Sequence, residues 1–247
     1  MMVRSEFRDL ETPTGPMRTY IYTPVHPTLA RKYPGMVLYP EIFQQTAPIA
    51  RLCTQIAGHG YVVMAPEIYH EHEPPGTVLG YDDVGKEKGN AYKHRTRLST
   101  FDADARVVIQ ALLAHPLCSG RLGAVGFCIG GHLAFRAALQ PEVSACASFY
   151  PTDLHSGTLG EGKSADTLAR AREMKAELAM IWGRQDPHIP GLGRATVYQA
   201  LTEAGVLFSW HELNAEHAFM RDEGARHDPE AARAAMGLAL GLFRRAL

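Results

Sequence analysis

The clearest chemistry in the sequence lies in Gly126-Phe127-Cys128-Ile129-Gly130-Gly131. An apolar run, Arg121–Phe127, leads into it, and a helical pattern, Gly131–Gln140, leads out. A cysteine between a strand and a helix, with glycine two residues before and two after, fits the G-x-S-x-G nucleophile turn with a thiol in place of the hydroxyl. The glycines let strand and helix approach each other around a strained turn that lifts the nucleophile out of the sheet. The backbone N–H of Ile129, at the start of the helix, is available to an oxyanion forming on an attacked carbonyl. The implied chemistry is acyl transfer to sulfur, with the thiolate as the reactive form.

Such a nucleophile requires an acid and a histidine, and in this turn class they follow in that chain order. Asp186, in Trp182-Gly183-Arg184-Gln185-Asp186-Pro187, comes directly after the strand candidate Leu178–Trp182. His217, in Asn214-Ala215-Glu216-His217-Ala218-Phe219, comes after the strand candidate Leu207–Leu213. His217 is placed to take the thiol proton and return it to the leaving oxygen, with Asp186 fixing its tautomer. Singly, each has an ordinary reading: a buried cysteine, a turn or helix cap, one of 12 histidines. Three in the required order, each at a strand end, argue together for a site. Glu216 competes with Asp186, but adjacent side chains on an extended loop diverge, which favours Asp186.

The elements needed to position these groups are legible as apolar runs and helical periods. Met17–Thr23 suits an early edge strand, and Gly35–Tyr39, Tyr61–Ala65 and Val143–Tyr150 suit buried strands. Ala47–His59, Thr100–His115, about Ala195–Ala204 and Pro229–Leu247 read as helices. From Ile68 to about Lys93 the chain is polar and rich in proline and glycine, and it reads as one long loop. Strands alternating with helices predict an α/β domain over residues 1–247, with a mostly parallel sheet, helices on both faces, and the site at the carboxyl ends of the strands.

The composition agrees. A chain of 247 residues, 46% hydrophobic and 21% charged, is that of a globular protein with a sizeable core. A formal net charge of −1 gives no electrostatic reason to expect nucleic acid or a membrane surface as partner. The 4 cysteines, Cys53, Cys118, Cys128 and Cys146, form no C-x-x-C pair, and Met1–Thr14 lacks an apolar leader-like run. These features point to reduced thiols and a cytoplasmic chain. No stretch approaches the roughly 20 apolar residues of a membrane-spanning helix.

In these motifs the chain resembles the dienelactone hydrolase family of α/β-hydrolases. The matching pieces, in order, are Tyr39-Pro40-Glu41-Ile42-Phe43, Ala91-Tyr92-Lys93, the Cys128 turn, Gly183-Arg184-Gln185-Asp186 and His217-Ala218-Phe219-Met220-Arg221. The cysteine turn and the glutamate–isoleucine–phenylalanine segment are the specific ones. The resemblance implies an α/β-hydrolase fold and a cofactor-free, metal-free hydrolase that opens a small lactone carrying a carboxylate, by way of an acyl-thioester. It maps nucleophile, base and acid to Cys128, His217 and Asp186. It also maps a switching glutamate, in contact with the resting thiol, to Glu41. Ile42 and Ile129 would give the two oxyanion N–H groups, Arg221 would partner Glu41 and hold the substrate carboxylate, and Tyr92 would line the pocket. Lys88 falls where the family's second carboxylate-binding arginine is expected. A lysine keeps the charge but loses the planar fork. A broader carboxylesterase or thioesterase with the same triad is therefore the alternative.

Two other features are set aside. His70-Glu71-His72 could meet one metal ion only on an extended segment and has no third ligand at suitable spacing, so it reads as polar loop. The glycines around Cys128 are not a phosphate loop, because no Lys-Ser or Lys-Thr follows them.

Overall fold

The computed structural model describes residues 1–25 and 31–247. Strands and helices follow in the order β1 (Met2–Thr12), β2 (Gly15–Val25), β3 (Tyr33–Tyr39), α1 (Ala47–Gly58), β4 (Val62–Pro66), α2 (Asp83–Arg95), α3 (Leu98–Ala114), β5 (Cys118–Phe127), α4 (Ile129–Ala137), β6 (Val143–Phe149), β7 (Glu177–Gly183), α5 (Gly191–Glu203), β8 (Phe208–Leu213) and α6 (Pro229–Ala246). Among the described residues the strands form one 8-stranded sheet in the order β1-β2-β4-β3-β5-β6-β7-β8. From β4 to β8 neighbouring strands run parallel, while β1 and β2 are antiparallel additions.

The strands were legible as unbroken apolar runs for a physical reason. Side chains alternate between the two faces of a strand, so a strand buried at every residue must be covered on both faces. All of β4 and most of β3, β6 and β7 are buried in this way. The expectation of a mostly parallel, doubly covered sheet therefore holds, and the fold is that of an α/β-hydrolase.

The strand order also locates the site. β3 lies between β4 and β5, so the connections leaving the carboxyl ends of β3 and β5 run to opposite sides. A crevice opens where such loops part. The β3 exit carries Glu41, and the β5 exit carries Cys128.

Two elements differ from the sequence reading. β1 falls on the polar N-terminus, where no strand was expected, and it displaces β2 from the edge. Its residues are mostly exposed on both faces, so no apolar alternation marks it. Its regularity comes from pairing with β2 along the whole hairpin, from Met2↔Val25 to Thr12↔Gly15. The second difference is α2, which occupies the C-terminal part of the predicted loop. Its signals are polar: Asp82 caps the N-terminus by accepting from Gly85 N at 2.7 Å, Asp83 opens the first turn, and Lys93, His94 and Arg95 close the last. Gly89 is not a helix breaker here but a contact point, since a Cβ there would stand 2.6 Å from the carbonyl oxygen of Ile42.

Around Cys128 the backbones of strand and helix are in such close contact that side chains are excluded. A Cβ on Gly126 would lie 1.9 Å from the oxygen of Gly130, and one on Gly130 would lie 2.3 Å from the oxygen of Tyr39. The obstructing atoms are backbone, which cannot swing aside. Gly130→Ala is expected to cost about 3 kcal/mol, read as a fall in Tm of roughly 6–12 °C for a chain of this size. An unchanged Tm would show that the turn is looser than described.

Candidate active site

Cys128 sits at the N-cap of α4 with φ 61 and ψ −124, a left-handed conformation uncommon for a residue with a side chain. Three backbone bonds hold it there: Cys128 N–H donates to Phe149 O at 3.1 Å, and its carbonyl accepts from Gly131 N at 3.0 Å and Thr152 N at 3.3 Å. The side chain is 8% exposed and lines a cavity of about 730 Å³ at the carboxyl ends of the strands. Its thiol lies 3.8 Å from the hydroxyl of Thr152. Ile129 is the first residue of α4, so its N–H has no partner within the helix. Ile42 lines the same cavity from the β3 loop.

Asp186 and His217 meet as the chain order required. His217 Nδ1 stands 2.6 Å from Asp186 Oδ2, and the other carboxylate oxygen accepts from the backbone N–H of His188 at 2.8 Å. A carboxylate can only accept, so Nδ1 carries the hydrogen and Nε2 is left for the thiol. Burial alone would depress the His217 pKa. The Cys128 sulfur facing it and the hydrogen-bonded Asp186 carboxylate outweigh burial and push it up to about 10. Glu216, the rival acid, instead pairs with Arg226 at 3.2 Å.

Glu41 is buried, and its Oε2 lies 3.6 Å from Arg221 Nη1. Burial raises its pKa above the usual carboxylate range, against the opposing pull of Arg221 and His217. Arg221 in turn sits over the Tyr81 ring, 4.4 Å from its centre. The predicted pairing of Glu41 with Arg221 is thus present. The predicted contact of Glu41 with the resting thiol is corrected: the hydrogen-bonding neighbour of Sγ is Thr152, while the guanidinium of Arg221 draws the Glu41 carboxylate.

Two further expectations are corrected by helical geometry. Lys88 and Tyr92 do not line the cavity. Four residues apart in α2, they share a face that turns to Glu73: Tyr92 donates to its Oε1 at 2.6 Å, and Lys88 Nζ stands 3.4 Å away. The cavity face of α2 carries Lys86, Asn90 and Lys93 instead, at the i, i+4, i+7 spacing of one helical stripe. Read as a loop, this segment offered no period by which to choose between lysines.

The sequence reading also passed over Thr152, His188 and Asp153. Asp153, with φ 62, lines the cavity and pairs with Lys93 Nζ at 2.8 Å. His188 packs edge-on to His217 with ring centres 4.8 Å apart, and burial and His217 lower its pKa. The proximity of Thr152 and Asp153 to the end of β6, beside the nucleophile strand, was the available signal. Of the His70-Glu71-His72 motif, His70 Nε2 meets Asp104 at 3.0 Å and His72 Nε2 meets Thr96 at 2.9 Å, so the two rings face different partners.

A cysteine on a strand–helix turn, with an aspartate–histidine pair beside it at the carboxyl edge of a mostly parallel sheet, defines an α/β-hydrolase. Within that class, residues 17–247 match the dienelactone hydrolase family, and the chain belongs to it. A Saccharomyces cerevisiae protein provisionally named carboxymethylenebutenolidase is 39% identical over 256 residues, covering 100% of this chain and 93% of the relative. The carboxymethylenebutenolidase of Pseudomonas putida is 27% identical, covering 81% of this chain and 80% of the relative. In fold, a Klebsiella pneumoniae protein provisionally named dienelactone hydrolase superposes with a TM-score of 0.84 at 24% identity, covering 99% of this chain and 100% of that one. The protein is an enzyme, a carboxylic ester hydrolase of this family. Among the described residues no helix is long and apolar enough to cross a membrane.

The raised His217 pKa has a direct consequence. The folded value lies above the value near 6.5 of an unfolded chain. This ionisation therefore contributes stability that is fully present below about pH 6.5 and lost as pH rises through about 10. Asp186 favours the imidazolium, so Asp186→Asn is expected to lower the His217 midpoint in an NMR titration. A midpoint identical in variant and parent would mean that the carboxylate does not hold the charge.

Proposed function

We propose that the chain opens a small carboxylate-bearing lactone of the dienelactone type through Cys128, His217 and Asp186, within one hydrolase domain in the cytoplasm. The observation that carries this reading is the presence, in one cavity, of the strained cysteine, the Asp186–His217 pair and the Glu41–Arg221 pair. Those groups suffice for acyl transfer with no cofactor or metal in the scheme.

In the reaction, with the proton on His217 Nε2 and Cys128 as the thiolate, the sulfur adds to the lactone carbonyl carbon. The N–H groups of Ile129 and Ile42 receive the oxyanion. As the carbonyl re-forms, the ring C–O bond breaks and the leaving oxygen takes the proton from His217, giving a ring-opened acyl-thioester. Water then loses a proton to His217 and adds its oxygen to the thioester carbonyl. The C–S bond breaks, and the sulfur leaves with its electron pair as the thiolate while His217 keeps the proton taken from water. Asp186 holds the imidazole tautomer throughout. Arg221 binds the substrate carboxylate in competition with Glu41, whose preference for the protonated form lets it be released from the ion pair. Lys86, on the cavity face of α2, takes the second cationic place that was expected of Lys88.

A second reading is favoured by two observations. The cavity, about 730 Å³, exceeds the needs of a small lactone, and Lys86 offers a point charge rather than a fork. Both suit a broader carboxylesterase or thioesterase using the same triad.

The deciding measurement is kcat/KM for a dienelactone carboxylate against a neutral p-nitrophenyl ester of similar size. The first reading expects the lactone to be preferred, and Arg221→Met to reduce turnover of the lactone about 10- to 100-fold while sparing the neutral ester. Preference for the neutral ester, with equal effects of Arg221→Met on both, would establish the second. Cys128→Ala is expected to abolish hydrolysis of both substrates with the fold intact. Substantial residual turnover in that variant would sink both readings.

A further inference from the structure

The hydroxyl within hydrogen-bonding reach of the Cys128 sulfur is that of Thr152, and its surroundings hold it there. Its backbone N–H donates to Cys128 O at 3.3 Å, and its carbonyl oxygen lies 3.1 Å from Nδ1 of His132. That carbonyl can only accept, so His132 Nδ1 carries the hydrogen and Nε2 must accept. The Thr167 hydroxyl stands 2.7 Å from Nε2, and Arg136 Nη1 donates to the same hydroxyl at 2.7 Å. Arg136 is clamped by Asp102 through two bonds of 2.9 and 2.7 Å. Arg136 Nη1 also donates to Asp166 Oδ1 at 2.7 Å, and from Arg136 the donation runs one way, through the Thr167 hydroxyl and His132, to the Thr152 carbonyl. His132 is fully buried, with its pKa pushed down to about 4 by burial, so the ring stays neutral and the tautomer stays fixed at working pH. Satisfied buried networks of this kind rigidify what they touch. The outcome is a hydroxyl, part-exposed in the cavity, held 3.8 Å from Sγ.

We propose that Thr152 is a catalytic residue whose hydroxyl donates a hydrogen bond to the Cys128 thiolate, stabilising the nucleophile in the resting enzyme and as it departs from the thioester. A thiolate is only an acceptor, so with sulfur ionised the hydroxyl hydrogen must point at it. The His217 imidazolium faces the sulfur with a charge, and the Thr152 hydroxyl adds a neutral donor at a second position on it. The inference rests on Cys128 as nucleophile. The other titratable groups facing the sulfur are His217, Glu41, Tyr69 and Tyr150, and an exchange at residue 152 alters none of them.

The test reads the thiol without turnover. The rate of Cys128 alkylation by iodoacetamide is followed against pH by mass spectrometry of the modified peptide, which separates it from buried Cys53, Cys118 and Cys146. Thr152→Val keeps the shape and removes the donor. The midpoint of its profile is expected to move up by about one pH unit, a tenfold loss of thiolate, with kcat/KM falling about tenfold. Thr152→Ser keeps the donor and is expected to follow the parent profile. A Thr152→Val profile that coincides with the parent's would overturn the inference. So would a Thr152→Ser profile displaced as far as that of any folded variant lacking the hydroxyl, such as Thr152→Ala. Failure of the underlying reading looks different: the Cys128→Ala variant would keep substantial ester hydrolysis, whatever the alkylation profiles show.

Discussion

The structure depends on one strained residue. Cys128 is held at φ 61 where β5 turns into α4, a conformation that costs on the order of 1–3 kcal/mol for a residue with a Cβ. The one local backbone bond, from Gly131 N–H to the Cys128 carbonyl, is ordinary for a helix start. The cost is offset by long-range order: the backbone bond to Phe149 in the next strand, the bond from Thr152, and the contact of Gly130 with the oxygens of Tyr39 and Pro40 across the sheet. β3, β5 and β6 must all be in register before the thiol can point into the cavity. The placement of Cys128 is thus a property of three strands rather than of one motif.

The same register distributes charge. The cavity contains buried or half-buried ion pairs from different strand exits: Glu41 with Arg221, Asp186 with His217, and Lys93 with Asp153. Buried charges are tolerated when paired and costly when stranded. The pairing lets the site hold anions and cations close to a sulfur without neutralising them all. The pairs are not equivalent. Asp186 and His217 are locked at 2.6 Å, whereas Glu41 and Arg221 stand 3.6 Å apart, and burial biases Glu41 toward its neutral form. A close pair keeps its geometry through a reaction, while a looser pair can be opened by a competing anion. The first suits a base that must not move, and the second suits a gate for a carboxylate.

Much of this was legible in the sequence because parallel strands buried on both faces write themselves as apolar runs, and because the residues at their exits come in a fixed order. Cys128, Asp186 and His217 could be named from those two facts. What was hidden had no such signature. β1 is exposed on both faces and exists through its partner β2, so its pattern carries no period. α2 is polar, and its glycines serve contacts with Ile42 and the loop before it, which made a helix look like a loop. That error propagated: without a helical period, Lys88 and Tyr92 could not be told from Lys86 and Lys93. Thr152 was hidden differently, since a threonine three residues after a strand has no chemical mark until the sulfur is known to lie 3.8 Å away.

The cavity face of α2 bears on substrate choice in a way that the triad does not. The triad selects a carbonyl, and any ester offers one. The cavity's other charged and polar groups include Arg221 beyond β8 and Lys86, Asn90 and Lys93 along one stripe of α2. Arg221 is pre-oriented by stacking on Tyr81 and by Glu41, so it can grip a carboxylate at a defined angle. Lys93 is already committed to Asp153. Lys86, exposed on α2, offers a point charge without a planar fork. One oriented cation beside one adaptable cation tolerates variation in the acid portion of the substrate more than two opposed arginines would. The placement of the sulfur and the placement of the cations are therefore separable properties of this fold, the first set by the turn from β5 into α4 and the second by α2 and the segment after β8.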